Sequence, residues 1–219
     1  MNDAILRMAA HVLSSSPLYR VHPKRRSLVF SKRGFAIATA GVASLALALG
    51  AAPPALADGP DTPPHVLAAI QEDPWVELTE GDSDYRVVAV GYFLQEFGVY
   101  LGEEPKLEFT PNVTFAVHQY QLNNELVPTT GNLDSDTWDQ LSDDVGLVRR
   151  GDDSMLVAGL RHTLTYLGHD STDTTTNRFG PEMEQAVRDF QKRKGIDDDG
   201  IIGPVTFRAM YAESAEDEE

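Results

Sequence analysis

The chain contains no cysteine. Disulfides, thiol nucleophiles and zinc sites built on thiolates are therefore excluded, and packing alone must hold whatever fold forms. Other chemistry is missing as well. None of His65, His118, His162 and His169 stands at the spacing of a zinc-protease helix or another paired-ligand motif, and His169 beside Asp170 is adjacency in sequence, not ligand geometry. There is no Ser-x-x-Lys and no Gly-x-Ser-x-Gly. Asp197, Asp198 and Asp199 begin like a calcium loop, but Gly195 occupies the first-ligand position and Thr206 the twelfth, so that reading fails. The expectation is a chain that is not an enzyme, with no catalytic residue, no metal and no cofactor.

Basic residues are scarce and unevenly placed. The 18 Lys and Arg face 34 Asp and Glu, a net charge of −16. Residues 1–57 hold seven of those 18 (Arg7, Arg20, Lys24, Arg25, Arg26, Lys32, Arg33) and one of the 34 acids, Asp3. An apolar, Ala-rich run from Phe35 to Ala52 follows this basic flank, and Ala55, Leu56 and Ala57 supply a small-residue cleavage pattern. The three parts read as an export signal over 1–57. The rival reading is an uncleaved anchor, because the run is about long enough to span a bilayer; its Ala/Gly-rich character and the closing Pro53 and Pro54 favour cleavage. Arg25 and Arg26, followed by Ser27, Leu28 and Val29, look like a twin-arginine export motif. Cleavage after Ala57 would leave 11 basic and 33 acidic residues, a net charge of −22. Such a surface repels nucleic acid and anionic membrane, so neither is an expected partner of the secreted product.

Beyond the signal the chain repeats itself at a spacing of 70. Gly81, Asp82, Val87, Leu94 and Gly98 recur as Gly151, Asp152, Val157, Leu164 and Gly168, and Phe109, Pro111, Ala116, Val117 and Gln121 recur as Phe179, Pro181, Ala186, Val187 and Gln191. One residue is lost in the next turn, after which Gly131 and Thr137 recur as Gly200 and Thr206, and Trp138 as Phe207. Each copy predicts three amphipathic helices. The first has a single apolar stripe (Val87, Val90, Leu94, Phe97; then Val157, Leu160, Leu164, Leu167), with Asp84 or Ser154 as its N-cap and Gly98 or Gly168 as its stop. The second starts at Pro111 or Pro181, proline being suited to a position whose N–H has no intrahelical partner. Met183, Ala186, Val187 and Phe190 then mark its buried face. A turn and a short third helix close the copy.

Stripes of this kind can be buried only against each other, which gives an all-α chain of two tandem three-helix modules of roughly 60 residues each. Modules that small are marginal alone, so docking of the pair is expected to contribute to stability. The predicted organisation is a signal peptide (1–57), a linker with one short helical turn (58–73), module 1 (74–144), module 2 (145–211) and a disordered acidic tail (212–219).

The residues Gly151, Asp152, Val157, Leu160, Leu164, Leu167, Gly168, Phe179, Gly180, Pro181, Ala186, Val187, Phe190, Gln191, Gly195, Asp199, Gly200, Ile202, Gly203, Pro204 and Thr206 resemble the three-helix peptidoglycan-binding domain found beside cell-wall hydrolases. The resemblance covers nearly all of the chain after the signal. Module 2 departs from the pattern with Arg161 where the family usually has Gln, and with Thr176 and Asn177 where it often has Asp-Gly. Module 1 departs further, with Thr110 for Gly180, Thr130 for Asp199, and Asp134 and Ser135 for Gly203 and Pro204. The resemblance implies non-catalytic binding of wall peptidoglycan, through stem peptide or glycan, as a targeting or scaffold component beside a separately encoded wall hydrolase. A secreted protein-binding or inhibitor module of the same fold and a minimal wall hydrolase are the alternatives.

Two readings of the module 2 turn stand side by side. In one, Gln191, Asp199, Gly200, Ile202, Gly203 and Thr206 border a shallow groove where amide groups at a helix start meet carboxylates and amides of the stem peptide. In the other, Gly200 supplies a positive φ, Asp199 shapes the turn and Gln191 satisfies a backbone group. Arg161, Arg178, Arg188, Lys192, Arg193, Lys194 and Arg208 all lie in module 2. They favour it as the binder, although Arg188 to Lys194 also suit the C-terminal end of their own helix.

Overall fold

The computed structural model describes residues 60–100, 104–169 and 177–216. The predicted signal peptide and its cleavage site lie outside the described residues. Among these residues there are seven α-helices and no strand: α1 (Pro64–Glu72), α2 (Tyr85–Glu96), α3 (Pro111–Asn123), α4 (Ser135–Val145), α5 (Met155–Tyr166), α6 (Pro181–Arg193) and α7 (Pro204–Tyr211), with a 3₁₀ helix at Glu213–Glu216. None of them is long and apolar enough to cross a membrane.

Local sequence explains the boundaries. Pro111, Pro181 and Pro204 open α3, α6 and α7. Asp84 caps α2, its carboxylate accepting from the Arg86 N–H at 2.8 Å. Ser154 occupies the same place before α5 without making a side-chain cap bond. Gly98 and Gly168 end α2 and α5 with φ of 72° and 80°.

The repeat is reproduced in the backbone bridges of the two copies. Leu78 bridges Leu133 as Val148 bridges Ile202, and Ser83 bridges Glu108 as Asp153 bridges Arg178. The Gly81 N–H donates to the Phe109 carbonyl at 2.9 Å, and the Gly151 N–H to that of Phe179 at 3.0 Å.

The copies meet about a pseudo-two-fold axis. Helices α2 and α5 pack antiparallel: the Tyr85 and Tyr166 rings stack at 4.1 Å at one end, and at the other Glu96 accepts from the Met155 N–H at 2.9 Å. Since Tyr85 corresponds to Met155 and Glu96 to Tyr166, each copy brings the same two helix ends to the contact. Gly159 permits the close approach, for a Cβ there would lie 2.8 Å from a Phe93 ring carbon and 2.9 Å from the Ala89 carbonyl oxygen. Helices α4 and α7 also touch, with the equivalent residues Trp138 and Phe207 edge to face at 6.4 Å. One core therefore runs through both copies. It includes Phe190, Val187 and Leu164, each at most 1% exposed. Helices α3 and α6 pack on the first helix of their own copy and turn a long side to solvent.

Two expectations are corrected. Residues 58–73, expected as a linker, contain α1, a helix of nine residues. Its Leu67 and Ile70 rest on the core, and Arg208 of α7 donates to the carbonyls of Ile70 (2.9 Å) and Asp73 (2.8 Å). Residues 212–216, within the stretch expected as a disordered tail, are ordered. Ala212 bridges Trp75, the Glu213 N–H donates to the Pro74 carbonyl at 2.9 Å, and Ala215 is buried while the acids beside it face water. Two small apolar side chains anchor a segment whose overall composition is acidic.

Candidate functional site

The turn joining α6 to α7 is organised by one amide. Gln191, fully buried on α6, accepts from the Gly200 N–H at 2.9 Å. Its NH₂ donates to the Asp199 carboxylate (2.8 Å), the Ile201 carbonyl (2.9 Å) and the Thr206 hydroxyl (3.1 Å). Asp199 also accepts from the Ile201 N–H at 2.8 Å, and Gly200 takes φ of 76°, which a side chain would strain. The structure thus gathers Gln191, Asp199, Gly200 and Thr206 into one network, with Ile202 and Gly203 next to it in the chain. Gln191, Ile202 and Thr206 are fully buried, Gly200 and Gly203 are buried, and Asp199 is half-buried. What these side chains accomplish chemically is to fix the turn from inside.

Replacing Gln191 by Leu keeps much of the volume but strands the Gly200 N–H and leaves the Ile201 carbonyl only the 3.4 Å contact from the Thr206 hydroxyl, for an expected loss of about 1–3 kcal/mol. Urea titration followed by circular dichroism measures it, and an unchanged midpoint would show that the network carries no stability.

Module 1 builds the same device. Gln121 accepts from the Gly131 N–H at 2.8 Å and donates to the Asn132 carbonyl (2.9 Å) and the Thr137 hydroxyl (2.8 Å). At its third-helix start, however, Asp134 accepts from the Thr137 N–H at 2.9 Å, whereas the matching Gly203 has no side chain with which to cap. An anion is therefore already in place in module 1.

The basic residues of module 2 serve the fold. Arg188 bonds the Asp198 carbonyl and pairs with Glu184 at 3.2 Å, and Lys192 pairs with Asp198 at 3.0 Å. Arg193 donates to the Leu167 carbonyl (2.9 Å), Lys194 to that of Ser214 (2.7 Å) and Arg161 to that of Arg178 (2.7 Å). Arg178 itself is exposed, at the edge of a cleft of about 570 Å³ shared with Arg150, Phe179, Pro181 and Glu182. Module 1 carries Glu80 and Glu108 where Arg150 and Arg178 stand.

Sequence reasoning missed what lies over the module 2 turn. The Asp197 N–H donates to the Thr62 hydroxyl at 3.1 Å, its carboxylate accepts from the Asp61 N–H at 3.3 Å, and Val66 lies against Gly195. Pro63 and Pro64 ahead of an apolar trio, Val66, Leu67 and Ile70, were the available signal of a helix start.

His169 is buried edge-on against Phe190. Burial, helped by the nearby Arg193 cation, pulls its pKa from 6.5 to about 4. The unfolded chain then takes up a proton near pH 6.5 that the fold refuses until about pH 4. Stability contributed by neutral His169 is complete above about pH 6.5 and is lost as the pH falls toward 4. Urea midpoints measured across that window should decline more steeply for the natural protein than for His169→Asn; parallel curves would refute this. Among the described residues no group of three or more His, Cys, Asp or Glu is placed to hold a metal ion.

Both copies of this helix, helix, turn, helix arrangement match the peptidoglycan binding domain family, over residues 83–141 and 156–210, just over half of the chain. The chain belongs to the peptidoglycan-binding domain family. The matches reach into all three helices of each copy. The chain is also 40% identical over 77 residues to N-acetylmuramoyl-L-alanine amidase CwlM of Mycobacterium tuberculosis (strain ATCC 25618 / H37Rv). That stretch is 31% of this chain and only 19% of the amidase. No solved structure matches the chain.

Proposed function

We propose that this exported protein holds wall peptidoglycan through its tandem modules without cutting it, as a targeting or scaffold component beside a separate wall hydrolase. The observation that carries the reading is that the family match falls on both copies and reaches into all three helices of each. Module 2 is the principal binder, since its turn carries Asp199, Gly203 and Pro204 of the family pattern, where module 1 has Thr130, Asp134 and Ser135. Gln191, Gly200, Ile202 and Thr206 act from beneath by setting the turn, and Asp199 and Gly203 belong to its rim. The amidase relative supports no transfer of catalysis, because four-fifths of that protein has no counterpart in the match.

Co-sedimentation of the purified protein with sacculi stripped of secondary polymers is the test. Binding to stripped sacculi is expected, together with no clearing in a zymogram cast with the same sacculi. Binding that vanishes on stripping would point to another wall polymer, and clearing would establish the hydrolase instead. Gly203→Asp, which copies the carboxylate of module 1, should weaken binding while leaving the circular dichroism spectrum unchanged. Undiminished binding by that folded variant would remove Gly203 from the site.

A further inference from the structure

The two copies part company on the solvent side of their second helices. In α6 that side carries Gln185, Arg188, Asp189 and Lys192, and it is laced with polar contacts: Gln185 donates to Asp189 at 2.8 Å, and Arg188 and Lys192 pair with Glu184 and Asp198 at 3.2 and 3.0 Å. In α3 the equivalent residues are Phe115, His118, Gln119 and Leu122. Phe115 is 64% exposed and Leu122 48%. Seven residues apart, they lie two turns from each other on one stripe. Across all 13 residues of α3 there is no Asp, Glu, Lys or Arg, in a chain whose net charge is −16. The duplicate shows that the fold is content with polar groups at these positions, so a large exposed aromatic and a leucine there call for a contact that the described residues of one copy do not make.

We propose that this face is where two copies of the chain meet, α3 against α3 about a two-fold axis. An interface between identical chains must be complementary to itself, so that what one residue contacts, its counterpart contacts in return. Antiparallel α3 helices satisfy this with their apolar pair: Phe115 falls opposite the partner's Leu122, Leu122 opposite the partner's Phe115, and the axis passes beside His118 and Gln119. Charge selects the same face. Two strongly acidic molecules repel each other wherever carboxylates are brought together, and a helix free of charge is the surface on which they can approach. Repulsion from acids beyond the contact is screened over about 8 Å at physiological ionic strength, so added salt strengthens this association, the opposite of an interface built on ion pairs. One helix face covers less than the roughly 800 Å² per partner of a standard interface, which makes the dimer weak and dependent on concentration.

Sedimentation velocity on the purified protein, from about 10 μM to about 1 mM and at low and high sodium chloride, tests this without any wall polymer. The weight-average coefficient should rise with concentration, and more at high salt. Phe115→Gln and Leu122→Lys, which install the residues of the second copy, should each raise the dissociation constant at least about tenfold with an unchanged circular dichroism spectrum. Because the chain has no cysteine, each engineered thiol is alone: Gln119→Cys should cross-link into a disulfide-bonded dimer on mild oxidation, and Asp189→Cys, its equivalent in the second copy, should remain monomeric. A coefficient independent of concentration at both salts, or equal cross-linking of the two cysteine variants, would overturn the proposal and leave the face to a different partner.

Discussion

Trp138→Ala is expected to lower the unfolding free energy by about 3–5 kcal/mol, the cost of emptying a large buried aromatic site. Trp138 is fully buried where the copies meet, stacked on Trp75 at 5.7 Å and on Tyr211 at 5.3 Å, with Phe207 edge-on to it. Its indole N–H also donates to the Val76 carbonyl at 2.8 Å. Three chain segments therefore lose a shared wall at once: the approach to module 1, α4 and α7. A loss of that size is a large part of the 5–15 kcal/mol by which ordinary domains are stable. Trp138→Phe keeps an aromatic disc and gives up the hydrogen bond, so its urea midpoint should fall between those of the natural protein and the Ala variant. Equal midpoints for all three would mean that the copies do not share this core.

Arg86→Met is the second large effect, about 2–4 kcal/mol, because it leaves buried carbonyls and a carboxylate without their cation. The Arg86 side chain is nearly fully buried. It donates to the carbonyls of Tyr211 (2.9 Å) and Ala212 (2.8 Å), pairs with Asp84 at 3.2 Å and reaches Glu216 at 3.3 Å. One guanidinium thus ties the start of α2 to the end of α7 and to the 3₁₀ helix. Met replaces the apolar stem but none of these bonds. Thermal unfolding reports the loss, and carboxypeptidase digestion of residues 212–216 should speed up in the variant. Digestion at the natural rate would show that the segment is held without Arg86.

Periodicity revealed the helices because an apolar stripe records which side is hidden. Leu160, Leu164 and Phe190 were legible in this way, and so were the turn glycines, since Gly200 at φ of 76° leaves its residue type as a trace. A stripe does not record what lies against it. The docking of α2 on α5 rests on Gly159, a residue that reads in sequence as a weak spot in a helix and is in fact where two helices touch. Residues 60–73 and 212–216 were misjudged for a related reason: their composition is that of solvated chain, and their order comes from contacts with Arg208, Trp75 and Arg86 far away in sequence. The candidate site divides along the same line. Gln191 and Asp199 were legible as important, but whether a conspicuous polar group faces outward to a ligand or inward to a turn depends on burial, which the sequence does not state.

The pseudo-two-fold packing of the copies has an evolutionary consequence. In a dimer of separate identical chains, every substitution is made twice at a self-matching contact, and a change that suits one side is imposed on the other. Fusion into one polypeptide removes that constraint. Trp138 can face Phe207, Asp134 can cap with its side chain a helix start where the other copy has Gly203, and Phe115 can replace a polar residue on one flank alone. A shared interior thereby becomes a licence for the two halves to specialise, provided that the residues joining them vary less than those on either outer flank.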